Sequence, residues 1–268
     1  MATSHSVATI GTDQNLGNLL RTWKPKLAQV LGGGEEEAGR FLAIVDACVR
    51  RSPNLKNCTV DSFRTAIENA AAMKLLPTGL MNLGWIIPFG TEATFIAGYR
   101  GLIDVCYRSK KIAGYEVYLV HKDDVWNVIP GLPPVYEHAP QFDGVFTFED
   151  RADLIAGYAV WWDVIDGHPT KQRKLVLNHG QLERLRLKSK KSDSGPWKTD
   201  YEPMVLKSIV RASTKLMPLT PTEDAILAQA FASEDKHLGL SDPVIDIEPT
   251  TEQPTEGRSA MFPDVDEA

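Results

Sequence analysis

Long apolar runs are missing from this chain. No stretch approaches the roughly 20 apolar residues that a helix needs to cross a bilayer. The first 18 residues are polar and lack the basic start and apolar run of an export signal. A cytoplasmic setting is expected. Cysteine is scarce: Cys48, Cys58 and Cys106 are odd in number and form no CxxC. Buried free thiols are expected, and neither structural disulfides nor a zinc site. Nucleotide-binding signatures are absent too, with no GxxxxGK[ST] to cradle phosphates and no GxGxxG after a strand. The six histidines are scattered. The nearest approach to a metal cluster is His121 with Asp123 and Asp124, which would suit a Mg-dependent nuclease or other DNA-processing enzyme. One histidine and two acids at a strand end more often make a turn.

What is present is enough apolar residue for a core, and a lopsided charge. Hydrophobic residues make up 43% of 268, a composition for one or two folded domains. The net charge of −6 is unevenly spread. Residues 50–216 hold 23 Lys and Arg against 18 Asp and Glu, whereas residues 217–268 hold 2 against 12. The acidity therefore belongs to the tail, and a low overall charge does not exclude a polyanionic partner. Between Lys171 and Pro218 twelve cations stand against four acids, an excess that ordinary solvated surfaces, which mix both signs, do not show.

Apolar spacing predicts a first helix through Leu16, Leu19, Leu20, Trp23, Leu27 and Val30, with Pro25 able to kink or restart it and Gly32-Gly33-Gly34 stopping it. A second opens on Glu35, Glu36 and Glu37 and closes on Arg50 and Arg51, charges that suit the helix dipole. A third follows a cap at Thr59. The period then changes to two. A hairpin turns at Gly90-Thr91-Glu92, with Pro88 confining its first strand to an edge. A short helix over residues 99–111 buries Leu102, Ile103 and Cys106. Strands are expected at 115–120 and 124–129, a proline-rich loop at 130–140, and a hairpin of 154–164 with 172–177 turned at Asp166-Gly167. Trp161 and Trp162 fall on opposite faces, so at most one belongs to the core. Asn178 caps a further helix. Residues 188–196 read as a solvated loop. A helix over 202–216 puts Val205, Ile209, Ala212 and Leu216 on its apolar face and Lys207, Arg211 and Lys215 on the other. The elements run α-β-α, with an N-terminal helical segment and glycine joint at 1–34, a core at 35–236 and an acidic stretch at 237–268 of disordered composition.

Cations interleaved with aromatics form two islands. Arg100, Arg108, Lys110 and Lys111 lie beside Tyr99 and Tyr107; Lys188, Lys190, Lys191, Lys198, Lys207, Arg211 and Lys215 surround Trp197. Single-stranded nucleic acid needs both cations for phosphates and flat rings for bases. Trp197 reads equally as a base platform or a core anchor. An interaction module that meets an acidic protein is a further alternative.

Gly98-Tyr99-Arg100-Gly101-Leu102-Ile103-Asp104 followed by Tyr107-Arg108-Ser109 resembles the signature block of the RecT family of phage single-strand annealing proteins. Pro88-Phe89-Gly90, His138-Ala139-Pro140, Tyr158-Ala159-Val160, Ser194-Gly195-Pro196-Trp197, Met204, Lys207, Arg211 and Leu216-Met217-Pro218 follow in the same order. Lys110 stands where the family often has glycine. The resemblance implies an α+β fold in which a small antiparallel sheet packs with helices to form a positively charged groove. It implies an ATP-independent protein that binds single-stranded DNA and the annealed duplex, assembles into a ring or helical filament, and works beside a phage exonuclease or host single-strand binding protein. No cofactor is expected to be required, a divalent cation at most influencing annealing. The twelve residues Arg100, Arg108, Lys110, Lys111, Lys188, Lys190, Lys191, Trp197, Lys198, Lys207, Arg211 and Lys215 are the expected DNA contacts.

Overall fold

A computed structural model describes residues 8–129, 131, 134–141, 153–189 and 192–238. Lys190, Lys191, Pro130, Pro133 and the acidic stretch beyond 238 lie outside the described residues. Helix α1 (Asp13–Leu31) starts at Thr12, whose Oγ1 accepts the Asn15 N–H, and ends at Gly32, left-handed at φ 79°. It runs through Pro25 as one helix and does not restart there. Pro25 is exposed, and so is Arg21, the residue whose carbonyl has no donor from it. Helix α2 (Gly34–Arg51) and helix α3 (Val60–Ala72) carry the expected charges and the Thr59 cap. Their inward residues, Phe41, Val45, Phe63 and Ile67, meet Leu16, Trp23 and Leu27 in one apolar core.

Strands β1 (Gly84–Phe89) and β2 (Glu92–Ala97) form a two-stranded antiparallel sheet. This hairpin packs on α3 and leads into α4 (Tyr99–Arg108). A three-stranded antiparallel sheet follows, ordered β3 (Ile112–His121), β6 (Leu154–Ile165), β7 (His168–Asn178). Its β6–β7 turn has Asp166 and Gly167 at φ 50° and 79°, the conformation that twists a hairpin correctly and that such residues tolerate. Trp161 is core and Trp162 is half-buried, as alternation requires.

A further hairpin pairs β4 (Val125–Ile129), expected as a strand, with β5 (Val135–Ala139), which falls in the run expected to be loop. Pro134 and Pro140 flank β5 and so remove no ladder donor from it. One face of the large sheet is covered by α5 (His179–Lys188), the short α6 (Pro196–Thr199) and α7 (Tyr201–Thr214). Gly157 lets α7 approach β6, because a Cβ there would lie 2.4 Å from Ile209 Cδ1. The last described helix, α8 (Pro221–Leu238), has no counterpart among the expected elements. It buries Leu227, Ala230 and Phe231 against the core formed by α3, α4 and β2. Leu216, expected on the apolar face of α7, is 51% exposed because the helix ends two residues earlier.

Candidate nucleic-acid interface

Helix α4 positions the first cationic island. A Cβ on Gly98 would lie 1.9 Å from the Asn82 carbonyl oxygen, and one on Gly101 2.2 Å from that of Leu83. Both glycines are therefore needed to seat the first turn of α4 on the backbone of the 3-10 turn Leu80–Asn82 and its neighbour. Arg100, between them, is exposed. At the other end, Arg108 donates from Nη2 to the carbonyl of Met73, the C-cap of α3, where a cation complements the helix dipole. Ser109 donates to the Cys106 carbonyl and accepts the Lys111 N–H at 3.1 Å, turning the chain. Lys110 follows in the left-handed region at φ 56°, which accounts for glycine at this position in the signature block. Arg108 thus holds the fold, while Lys110 and Lys111 face solvent.

The second island divides. Lys207 and Arg211, expected on the solvent side of α7, face α8. Arg211 is 7% exposed; its Nη1 donates to Glu234 Oε2 at 3.0 Å and its Nη2 lies 2.7 Å from both Asp235 oxygens. Lys207 Nζ is 3.4 Å from Glu234, which also accepts the Ala97 N–H at 2.8 Å. The physical reason is α8: positions four apart share a face, and that face is covered by a helix bringing two acids. Lys215 is exposed, with Nζ 5.8 Å from the Phe231 ring. Partial burial and the neighbouring Arg211 push its pKa down. Lys188 and Lys198 are exposed.

Trp197 is a core anchor, 4% exposed among Leu182, Val205 and Ile209, not an open platform. Above it a cleft of about 1000 Å³ has Lys122, Arg186 and Lys198 among its walls, together with Glu183 and Asp193. Arg186 is committed to those acids at 2.8 Å each. Burial opposes ionisation of Glu183, but hydrogen bonds from Tyr201 and Arg186 outweigh it and hold this carboxyl below its usual range.

The grouping of His121, Asp123 and Asp124 is a braced turn. Asp124 Oδ2 accepts the His121 N–H at 2.8 Å and the Nε2–H of His138 at 3.2 Å, and Oδ1 accepts the Gln141 N–H at 3.0 Å. Among the described residues no set of three or more His, Cys, Asp or Glu is placed to hold a metal ion. With its Nε2 protonated, His138 accepts a hydrogen bond from the Tyr158 hydroxyl on Nδ1 at 3.1 Å. Two pieces of the family pattern, His138-Ala139-Pro140 and Tyr158-Ala159-Val160, thus tie the β4–β5 hairpin to the sheet. Trp126, Tyr136 and Tyr118 gather there with Tyr158 around a cleft of about 350 Å³, under Lys174. Sequence reasoning missed this aromatic cluster, because β5, which pairs His138 with Trp126, lies in the run read as loop.

The RecT family model matches residues 39–244. The chain belongs to the RecT family. One relative, Protein RecT of Escherichia coli (strain K12), is 30% identical over 191 residues, 68% of this chain and 67% of that protein. Another, the uncharacterized protein YqaK of Bacillus subtilis (strain 168), is 26% identical over 250 residues, 89% and 81% of the two chains. RecT family membership places the chain among phage-type recombination and annealing proteins. Among the described residues no helix is long and apolar enough to cross a membrane.

Proposed function

We propose that this protein binds single-stranded DNA and anneals complementary strands without ATP, as a homo-oligomer in phage-type homologous recombination. The observation that carries the reading is family membership across residues 39–244. It is supported by Arg100, Lys110 and Lys111, exposed at the two ends of a helix whose signature glycines fix its seat. These three, with Lys188, Lys198, Lys215 and the undescribed Lys190 and Lys191, neutralise phosphates and leave base edges open. Annealing is then driven by base pairing, the protein supplying alignment and charge neutralisation. Arg108, Trp197, Lys207 and Arg211 contribute through the fold that they hold. No cofactor takes part, and a phage exonuclease or host single-strand binding protein is the partner.

The test is annealing of two labelled complementary strands without nucleotide, with oligonucleotide affinity followed against salt. The protein accelerates annealing and leaves strand length unchanged in Mg²⁺. The double variant K110A/K111A lowers the slope of log affinity on log salt by about 1.4, since each single-strand phosphate contact contributes about 0.7. Shortened strands would instead support a nuclease, and an unchanged slope would remove Lys110 and Lys111 from the interface.

A further inference from the structure

The backbone that Gly98 and Gly101 touch carries an unusual tip. Leu80 and Met81 are 63% and 65% exposed, more than any other large apolar residue among those described. They sit on a tight turn in which Gly79, Met81 and Asn82 are left-handed, at φ 71°, 55° and 55°. Asn82 tolerates that conformation, but for Met81 it is unfavourable, so the surroundings must impose it. They do. The Gly79 N–H donates to the Gly84 carbonyl at 2.8 Å, the Leu80 N–H to Thr78 Oγ1 at 3.1 Å, and the Gly98 N–H to the Leu83 carbonyl at 3.0 Å. The Trp85 ring packs beneath Gly79, where an added Cβ would lie 2.4 Å from its Nε1. The result is a rigid post that presents two flexible apolar side chains to solvent, seated against the helix turn that carries exposed Arg100.

We propose that Leu80 and Met81 form a wedge that enters between adjacent bases of the bound strand, with Arg100 on a neighbouring phosphate. This rests on the single-stranded DNA reading given above. Leucine and methionine are the kind of side chain that proteins insert between base steps, where an apolar group replaces base–base stacking. Unstacking a single strand costs less than opening a duplex. A wedge also leaves pairing edges free, which an annealing protein requires and a pocket enclosing the base would deny. A second copy of the chain is the less fitting occupant. Two side chains supply far less than the roughly 800 Å² per partner of a stable interface.

The experiment uses an oligonucleotide with one 2-aminopurine in a run of adenines, whose fluorescence rises when its neighbours unstack, and the full-length protein. Wild type raises the fluorescence at saturation. The variant L80S/M81S, altered only at exposed positions, folds with an unchanged melting temperature and keeps the salt slope. It loses most of the fluorescence rise and binds about 5- to 150-fold more weakly, the range for losing one stacking contact to a base. A variant with undiminished fluorescence rise overturns the wedge, and so does one whose only change is a smaller DNA-free assembly, which makes the tip a contact between copies. Wild type that binds without unstacking overturns the wedge alone. Wild type that binds no oligonucleotide overturns the DNA reading as well.

Discussion

Replacing Arg211 by alanine distinguishes a structural strut from a phosphate contact. The guanidinium is almost entirely buried, forks onto Asp235, reaches Glu234, and lies 4.2 Å over the Phe231 ring. Glu234 is fully buried. Without Arg211 its charge keeps, among the described residues, Lys207 at 3.4 Å and the Ala97 N–H. Removing one partner of a buried pair costs about 3–5 kcal/mol, because the other charge is left uncompensated. For a domain of this size each kcal/mol moves the melting temperature by about 2–4 °C, so R211A melts roughly 6–20 °C below wild type. Thermal unfolding followed by far-ultraviolet circular dichroism reads this directly. Adding E234Q to the variant removes the orphaned charge and returns a large part of the loss, the coupling expected of groups in contact. A variant that melts within about 2 °C of wild type yet loses one phosphate contact from its salt slope refutes the reasoning and restores Arg211 to the DNA surface.

Three further outcomes follow from local geometry. Lys110→Gly relieves a left-handed lysine at φ 56° and raises stability by about 0.5–1 kcal/mol, readable as a higher melting temperature; a decrease would mean that the lysine side chain makes the turn. Gly101→Ala drives a methyl toward the Leu83 carbonyl and Leu75 Cδ1 and lowers stability by about 1–3 kcal/mol, with wild-type melting as the refuting result. Glu183 has its folded pKa depressed, so its stabilisation is present above its ordinary value of 4.5 and is lost as pH falls through the folded one. Tyr201→Phe removes one bond that depresses it, so acid unfolding moves to higher pH at a cost of about 1–2 kcal/mol near neutrality; an unmoved acid midpoint argues against the pair.

Local chemistry made most elements legible. Thr59 and Asn178 cap where their side chains reach back to the backbone, Asp166-Gly167 turns where positive φ is needed, and the alternation of Tyr115, Val117 and Leu119 marks a half-buried strand. Helix α8 escaped because its buried stripe ends on Glu234, so the apolar period breaks where the helix matters most. The strand β5 escaped because prolines at both ends read as loop. At the candidate site the exposed Arg100, Lys110 and Lys111 were legible, since neighbours along one helix and turn decide their exposure. The burial of Lys207 and Arg211 was not. Their partners lie 27 and 23 residues further on, and no spacing rule within α7 reports a covering helix.

The carboxylate of Glu234 also ties together segments far apart in the chain. It joins the Ala97 amide, 137 residues earlier, to Arg211, so β2, α7 and α8 close around one group that leaves the ribosome late. Contacts of such long separation slow folding, because loop-closure entropy is lost before the contact forms. Until α8 has been made, the inner face of the β1–β2 hairpin lacks its cover and Arg211 lacks its acids. The nascent chain therefore carries more unpaired positive charge than the finished protein. A chain lacking α8 would leave Arg211 without Glu234 and Asp235 and β2 without the helix that packs on it.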